Sequence, residues 1–261
     1  MAAAIKLYWS SGLKNGKKNF GDWLGPELVK QLSGRDIEHV TATRADLISV
    51  GSILQKLDNY WWRKKVQIWG SGFIEKPDST LSRHIFCAAR GKLSAQFINT
   101  NSDMALGDPG LLSSELLPDY ADIQKTVRVG VIPHYKDQNH PSITTLPEQL
   151  RHCKMINVLD EPLHVLREIA RCERVISSSL HGLVVADSFG IPSQWLKVSD
   201  QVRGNDFKFY DYYSAFNIIN PTFKTVTQIS DASIDELGAI CPTEQLLAIK
   251  KRLHESFPYL K

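Results

Sequence analysis

Ser177-Ser178-Ser179-Leu180-His181-Gly182 runs directly into LVVADSFGIP, residues 183–192, and this stretch decides the fold. Arg174, Val175 and Ile176 just before it read as a buried strand. The serines make a polar turn, and the apolar run after them has the length of a short helix closed by Gly190. Strand, turn and helix in that order set hydroxyls and an imidazole at a helix N-terminus. Free backbone N–H groups and the positive end of the helix dipole favour an anion there. The serines would cap the helix and donate to phosphate oxygens, and His181 would add charge or move a proton. The same residues also fit a well-capped core helix that carries an incidental histidine.

Upstream, the pattern repeats. Residues 5–9 form an apolar run with the look of a buried strand, followed by a basic loop at 12–18 and then Asn19-Phe20-Gly21-Asp22. The helix expected next takes Asp22 as N-cap, Pro26 in an early turn and Gly34 past its end, with Leu24, Leu28 and Leu32 as its buried stripe. Strands expected at 47–50, 66–69, 85–88 and 104–106 each run into a glycine-containing loop: Gly51-Ser52, Gly70-Ser71-Gly72, Arg90-Gly91 and Gly107-Asp108-Pro109-Gly110. Open parallel sheets build ligand sites at such carboxyl edges. Residues 108–124, with Pro109 and Pro118 and no periodicity, suit a linker. A second series follows: strands at 127–132 (ending at Pro133-His134), 155–159, 174–176 and 193–198, and helices at 162–171 and 243–256, the last capped by Thr243. The expected fold is therefore α/β. Two Rossmann-like lobes, residues 1–112 and 113–261, would face each other across a cleft where small ligands bind.

Composition sets outer limits. The 261 residues are 43% apolar and 23% charged, ordinary for a globular protein, and a net charge of +3 is far too weak to argue for nucleic acid. Cys87, Cys153, Cys172 and Cys241 are scattered without metal-ligand spacing, which suggests free thiols in a reducing cytoplasm rather than a zinc site or a disulfide framework. No secretory leader and no apolar run long enough to span a bilayer is visible.

In order and spacing, these motifs resemble the polysaccharide pyruvyl transferase family. The likeness is greatest to its exopolysaccharide branch, which contains ketal pyruvyl transferases of the xanthan and succinoglycan type. It is carried by Asn19-Phe20-Gly21-Asp22, Gly51-Ser52, Gly70-Ser71-Gly72-Phe73, Arg90-Gly91, Leu106-Gly107-Asp108-Pro109, Gly130-Val131-Ile132-Pro133-His134-Tyr135, the SSSLHGLVVADSFGIP stretch, and GNDFKFYDYY at 204–213. The resemblance implies a two-lobed fold like that of GT-B glycosyltransferases. It also implies transfer of the enolpyruvyl unit of phosphoenolpyruvate onto a sugar, usually as a ketal bridging two hydroxyls. One departure stands out: many members carry Arg-Leu-His where this chain has Ser179-Leu180-His181. The charge for the donor would then come from Arg90, Arg203, Lys208 or His134.

Such chemistry needs cations or aimed N–H donors for a phosphate and a carboxylate, a general acid, a general base, and support for leaving phosphate. It demands no cofactor and no metal. His181 is the candidate for the phosphate or the proton donor, with Ser177, Ser178, Ser179 and Gly182 as the cradle. Gly21 and Gly72 would line the first-lobe edge. His134 reads as a site residue or as an ordinary loop residue, Arg90 as a carboxylate clamp or a structural ion pair, and Asp22 as a simple N-cap or the base that activates a sugar hydroxyl. Lys208 among Tyr210, Tyr212 and Tyr213 fits phosphate binding with sugar stacking, or plain packing. Lys14, Lys17, Lys18 and the run Arg63, Lys64, Lys65 beside Trp61 and Trp62 would lean on an anionic membrane if the acceptor is a lipid-linked saccharide; otherwise they are solvated faces. The expected place is the cytoplasm, with peripheral contact at the inner face of its membrane. A GT-B glycosyltransferase using a nucleotide sugar is the alternative, and a binding module without turnover is a third reading.

Overall fold

The computed structural model describes residues 2–14, 16–100, 103–199, 204–238 and 241–260. Its first half contains β1 (Ile5–Tyr8), α1 (Phe20–Ser33), β2 (Ile37–His39), β3 (Leu47–Ile48), β4 (Gln67–Trp69), β5 (Ile85–Ala89), α2 (Lys92–Ala95) and β6 (Ala105–Leu106). The second contains β7 (Val127–Ile132), α3 (Pro141–Thr144), α4 (Leu146–Gln149), β8 (Cys153–Met155), α5 (Pro162–Ala170), β9 (Cys172–Ser177), α6 (Leu180–Ser188), β10 (Ser193–Lys197), α7 (Phe207–Ser214), β11 (Phe223–Thr225) and α8 (Thr243–Glu255). The strands form two sheets, ordered β2-β1-β3-β4-β5-β6 and β11-β10-β9-β7-β8. The named pairings are all parallel, giving the expected α/β class.

Several local expectations need correction. Asn19, not Asp22, caps α1: its Oδ1 accepts from the Gly21 N–H at 3.0 Å, which places Asp22 inside the first turn. Gly34 ends that helix in the left-handed region at φ 63°, where a side chain would be strained. Pro242, not Thr243, precedes the first residue of α8. The strand expected at 155–159 lies at Cys153–Met155 instead. Asn157 bends the chain out of the sheet by accepting from the Leu159 N–H at 3.0 Å and donating to Asp160 at 2.8 Å. The edge strands β2 and β11 are short and largely unburied, so no apolar run announces them.

The stretch expected as a linker does connect the two sheets, yet its first part is core. Residues Pro109–Leu116 wind into a 3₁₀ helix capped by Asp108 and pack against both α1 and α6. A continuous apolar core therefore runs from Leu7, Leu24 and Leu28 through Leu111 and Leu112 to Leu183 and Val184. The last helix returns to the first sheet. The Trp69 indole N–H donates to Leu253 O at 2.9 Å, and Ile249 and Leu253 close over Gly107.

A buried ion pair ties the two halves at a further point. Arg90, at the end of β5, donates through Nε to Asp211 of α7 at 2.9 Å, to Phe73 O at 2.6 Å and to Ser52 Oγ. Asp211 also accepts from the Ser94 N–H at 2.7 Å and its hydroxyl at 2.6 Å. Neither charged side chain is exposed to solvent. Asp211→Ala would strand the buried guanidinium and is expected to cost about 3–5 kcal/mol. Lys64→Ala, which breaks the exposed contact to Asp46, should cost under about 1 kcal/mol. Urea unfolding of both variants measures the contrast, and equal losses would count against the assignment.

Candidate active site

Two helix N-termini, one from each half, meet where the carboxyl edges of the sheets face each other. The Phe20 N–H donates to Val158 O at 2.9 Å, fixing the start of α1 against the second half. A Cβ on Gly21 would lie 2.2 Å from His181 Nδ1, so only a glycine lets the imidazole of α6 rest on the first turn of α1. Gly182 plays a matching part, since a Cβ there would lie 2.3 Å from Ser177 Oγ. Both positions are set by close approach rather than by an unusual backbone angle.

Around this junction stand His181, His134, Lys208, Asp22 and Lys14. Their proximity is visible in their electrostatics: Lys208 depresses both histidines, while Lys208 and Lys14 both pull on Asp22. Burial pushes the Asp22 carboxyl up to about 6 against that pull. Burial, with Lys208 and Arg90 nearby, drives His181 down to about 3. Burial and the cations around it drive His134 down to about 3 as well. Both imidazoles are therefore neutral at neutral pH. His181 Nε2 is shut off from solvent and has no hydrogen-bond partner among the described residues. Lys208 is buried on the first turn of α7, and none of the ion pairs or hydrogen bonds among the described residues involves it. Burial and Arg90 bring its ammonium down to about 8, so it is still charged at neutral pH.

A buried ammonium that feels Asp22, Asp137 and Asp206 but forms no direct ion pair among the described residues, an orphaned imidazole nitrogen and converging helix N-termini form an incomplete electrostatic set. What completes it is an anion. The carboxyl of Asp22 beside them titrates close enough to neutrality to take or give a proton. Among the described residues no group of three histidine, cysteine or acidic side chains could hold a metal ion.

The other expected site residues sit differently. Ser177 Oγ lies 2.7 Å from Ile132 O and 2.8 Å from Ser179 O, so its proton stays within the turn. Ser178 donates to Asp137 at 2.8 Å and accepts from the His134 N–H at 2.9 Å, which fixes the His134 loop rather than facing an anion. Ser179 precedes α6 but makes no capping bond with its side chain. Arg90 spends its guanidinium on Asp211 and lies across Gly72, where a Cβ would come within 2.5 Å of Cζ. Its charge reaches the site as a field, not as a contact. Arg203 lies outside the described residues. No motif marks Lys14 or Asp137 as a site residue. Lys14 reads as part of a surface patch, and Asp137 is signalled only by its place three residues after His134.

The family model "Polysaccharide pyruvyl transferase" matches residues 11–200. Succinoglycan biosynthesis protein ExoV of Rhizobium meliloti (strain 1021) is 27% identical over 220 residues, 81% of this chain and 64% of that protein. Uncharacterized protein L143 of Acanthamoeba polyphaga mimivirus is 31% identical over 130 residues, 49% of this chain and 45% of that protein. The chain thus spans between about half and two thirds of the length of these relatives. No solved structure matches.

Lys208 generates a testable contrast between stability and binding. Its folded pKa, about 8, lies below the ordinary 10.5, so the unfolded chain holds the proton to higher pH. Below about pH 8 the buried charge costs the fold roughly 3–4 kcal/mol, and this cost fades between about 8 and 10.5. Lys208→Met is therefore expected to be more stable than the parent at pH 7, with little difference at pH 10. It should bind inorganic phosphate at least tenfold more weakly. Urea titrations at the two pH values and phosphate calorimetry measure this; a variant destabilised at both would show that the ammonium is internally compensated.

Proposed function

The chain belongs to the polysaccharide pyruvyl transferase family, and from that premise we propose that it moves the enolpyruvyl unit of phosphoenolpyruvate onto a sugar of a lipid-linked saccharide, as a ketal, in exopolysaccharide or capsule assembly. One observation carries the reading: the buried Lys208 ammonium, without a direct ion pair among the described residues, and the orphaned His181 Nε2 lie at the meeting of two helix N-termini, beside Asp22. The two parallel sheets, the site at their facing edges and the return of α8 to the first sheet support a GT-B-like arrangement of two lobes. The succinoglycan relationship supports the exopolysaccharide setting.

In this reading the helix N-termini, Lys208 and Lys14 hold the donor's phosphate and carboxylate. His181, neutral in the free protein, donates from Nε2 to a phosphate oxygen and gains basicity once the dianion is beside it. Protonation of the donor's methylene carbon leaves a cationic C2, which the first sugar hydroxyl attacks. Asp22 takes that hydroxyl's proton, its pKa near neutrality making the transfer reversible in either direction. The second hydroxyl then attacks C2 and the C–O bond to phosphate breaks. Of the two hydroxyl protons, one balances that gained by the methyl carbon and the other leaves with phosphate. Lys208 and the helix N-termini steady the charge on the departing group.

Purified protein with phosphoenolpyruvate and a lipid-linked saccharide fraction should release inorganic phosphate. Release that needs a nucleotide sugar instead would support the GT-B glycosyltransferase alternative. Donor binding without turnover on any acceptor would support a binding module. Asp22→Asn is expected to lower kcat by about 10²–10⁴ while leaving phosphoenolpyruvate affinity within a few fold. Full activity in that variant would remove the base from Asp22.

A further inference from the structure

Tyr60, Trp61 and Trp62 follow one another in the connection between β3 and β4, and all three are exposed, by 50%, 76% and 62%. Apolar rings of this size are seldom left in water without a use. They are also organised. Tyr60 stacks on Trp62 with centroids 4.7 Å apart, Trp61 meets Trp62 edge-on at 5.8 Å, and the Arg63 guanidinium lies over Tyr60 at 5.4 Å. The cluster is held from behind, because Arg63 pairs with Asp58 at 2.8 Å and the Arg83 guanidinium donates to Arg63 O at 2.7 Å.

The charge around the rings is one-sided. Residues 55–65 contain Lys56, Arg63, Lys64 and Lys65 against Asp58; Arg63 pairs with Asp58 and Lys64 with Asp46, which leaves Lys56 and Lys65 as the surplus. Lys56, Lys64 and Lys65 are exposed. Tryptophan and tyrosine rings beside lysine and arginine match the interfacial zone of an anionic bilayer, where rings sit among head groups and ammonium groups meet phosphates. Among the described residues no helix is long and apolar enough to cross a membrane, so contact by this loop would be peripheral.

The position of the cluster gives the contact a purpose. Tyr60 also lines a cavity of about 1400 Å³ whose walls include Phe73, Asp78, Phe207 and Tyr210. Phe207 and Tyr210 belong to α7, the helix that carries Lys208. The cavity thus extends from the aromatic cluster to the helix that supplies the buried ammonium.

We propose that the Tyr60–Trp61–Trp62 cluster, with Lys56 and Lys65, docks the protein on an anionic lipid surface and sets the mouth of this cavity against it. The docking is read from the patch itself. Its purpose, handing a lipid-borne saccharide to the cavity, rests on the proposed function.

The test is co-sedimentation of the full chain with phosphatidylcholine vesicles, with and without phosphatidylglycerol, in the absence of donor and acceptor. A failure of the pyruvyl transfer assay therefore leaves the result readable. The parent is expected to pellet with the phosphatidylglycerol vesicles and to show blue-shifted tryptophan emission. Trp61→Ser combined with Trp62→Ser should reduce the bound fraction about tenfold. Lys56→Gln with Lys65→Gln should reduce it about fivefold per lysine, and added salt should reproduce that loss. These side chains are exposed, and an unchanged Tm would show that the variants stay folded. A parent that remains in the supernatant, or a double tryptophan variant that pellets as well as the parent, overturns the proposal. So does a parent dimer that the tryptophan changes convert to monomer, since the patch would then join two copies of the chain.

Discussion

Arg90 and Asp211 meet in the interior between the halves, and much of the site depends on that pair. The guanidinium is anchored by Asp211, Ser52 and Phe73 O, and the carboxylate by Arg90 and Ser94. Charges taken out of water so completely are held only while each keeps its partners. The pair therefore holds α7 against the first half, and with it Lys208. A Cβ on Gly91 would come within 1.7 Å of Asp211 O, so backbone meets backbone beside the pair. The same guanidinium reaches further as a field, depressing His181 and Lys208.

The outcome is a pocket whose buried cations outweigh the carboxylate beside them. A protein left to its own stability would neutralise Lys208 or pair it. Here the ammonium is kept buried and charged at neutral pH, the imidazoles are kept neutral, and the carboxyl of Asp22 is lifted to the middle of the pH scale. Two helix N-termini add fixed positive potential without any side chain to titrate. With Ser179 ahead of α6, the cationic character of the pocket comes from other elements, through Lys208, Lys14 and the buried Arg90.

How far the sequence foretold this differs by residue. The strand–turn–helix around 177–182 was readable because local chemistry set it: β-branched run, serines, apolar helix, glycine stop. His181 and Lys208 could be picked out as titratable groups beside glycine and aromatic punctuation. Asp22 suits a helix cap as well as a base, but Asn19 three residues earlier takes the cap. The partner of Arg90 lies 121 residues away and only tertiary structure joins them. The serines of the turn looked like phosphate donors, but their hydroxyls answer to Ile132 O, Ser179 O and Asp137, acceptors that no motif reveals. The cavity beside Tyr60 is equally hidden, because four stretches distant in sequence, within 54–60, 73–81, 92–96 and 204–219, build its walls.

The return of α8 to the first sheet has a consequence for how the molecule comes into being. Trp69 finds its acceptor at Leu253, 184 residues downstream, and Gln67 its partner at Tyr259. During synthesis the first sheet must wait, with an indole and the flank of β6 uncovered, until residues 249–259 have left the ribosome. Such long-range closure is slow and leaves apolar surface open to misassembly. Once made, it clasps β4 and the end of β6 under a helix that begins more than 130 residues after either of them.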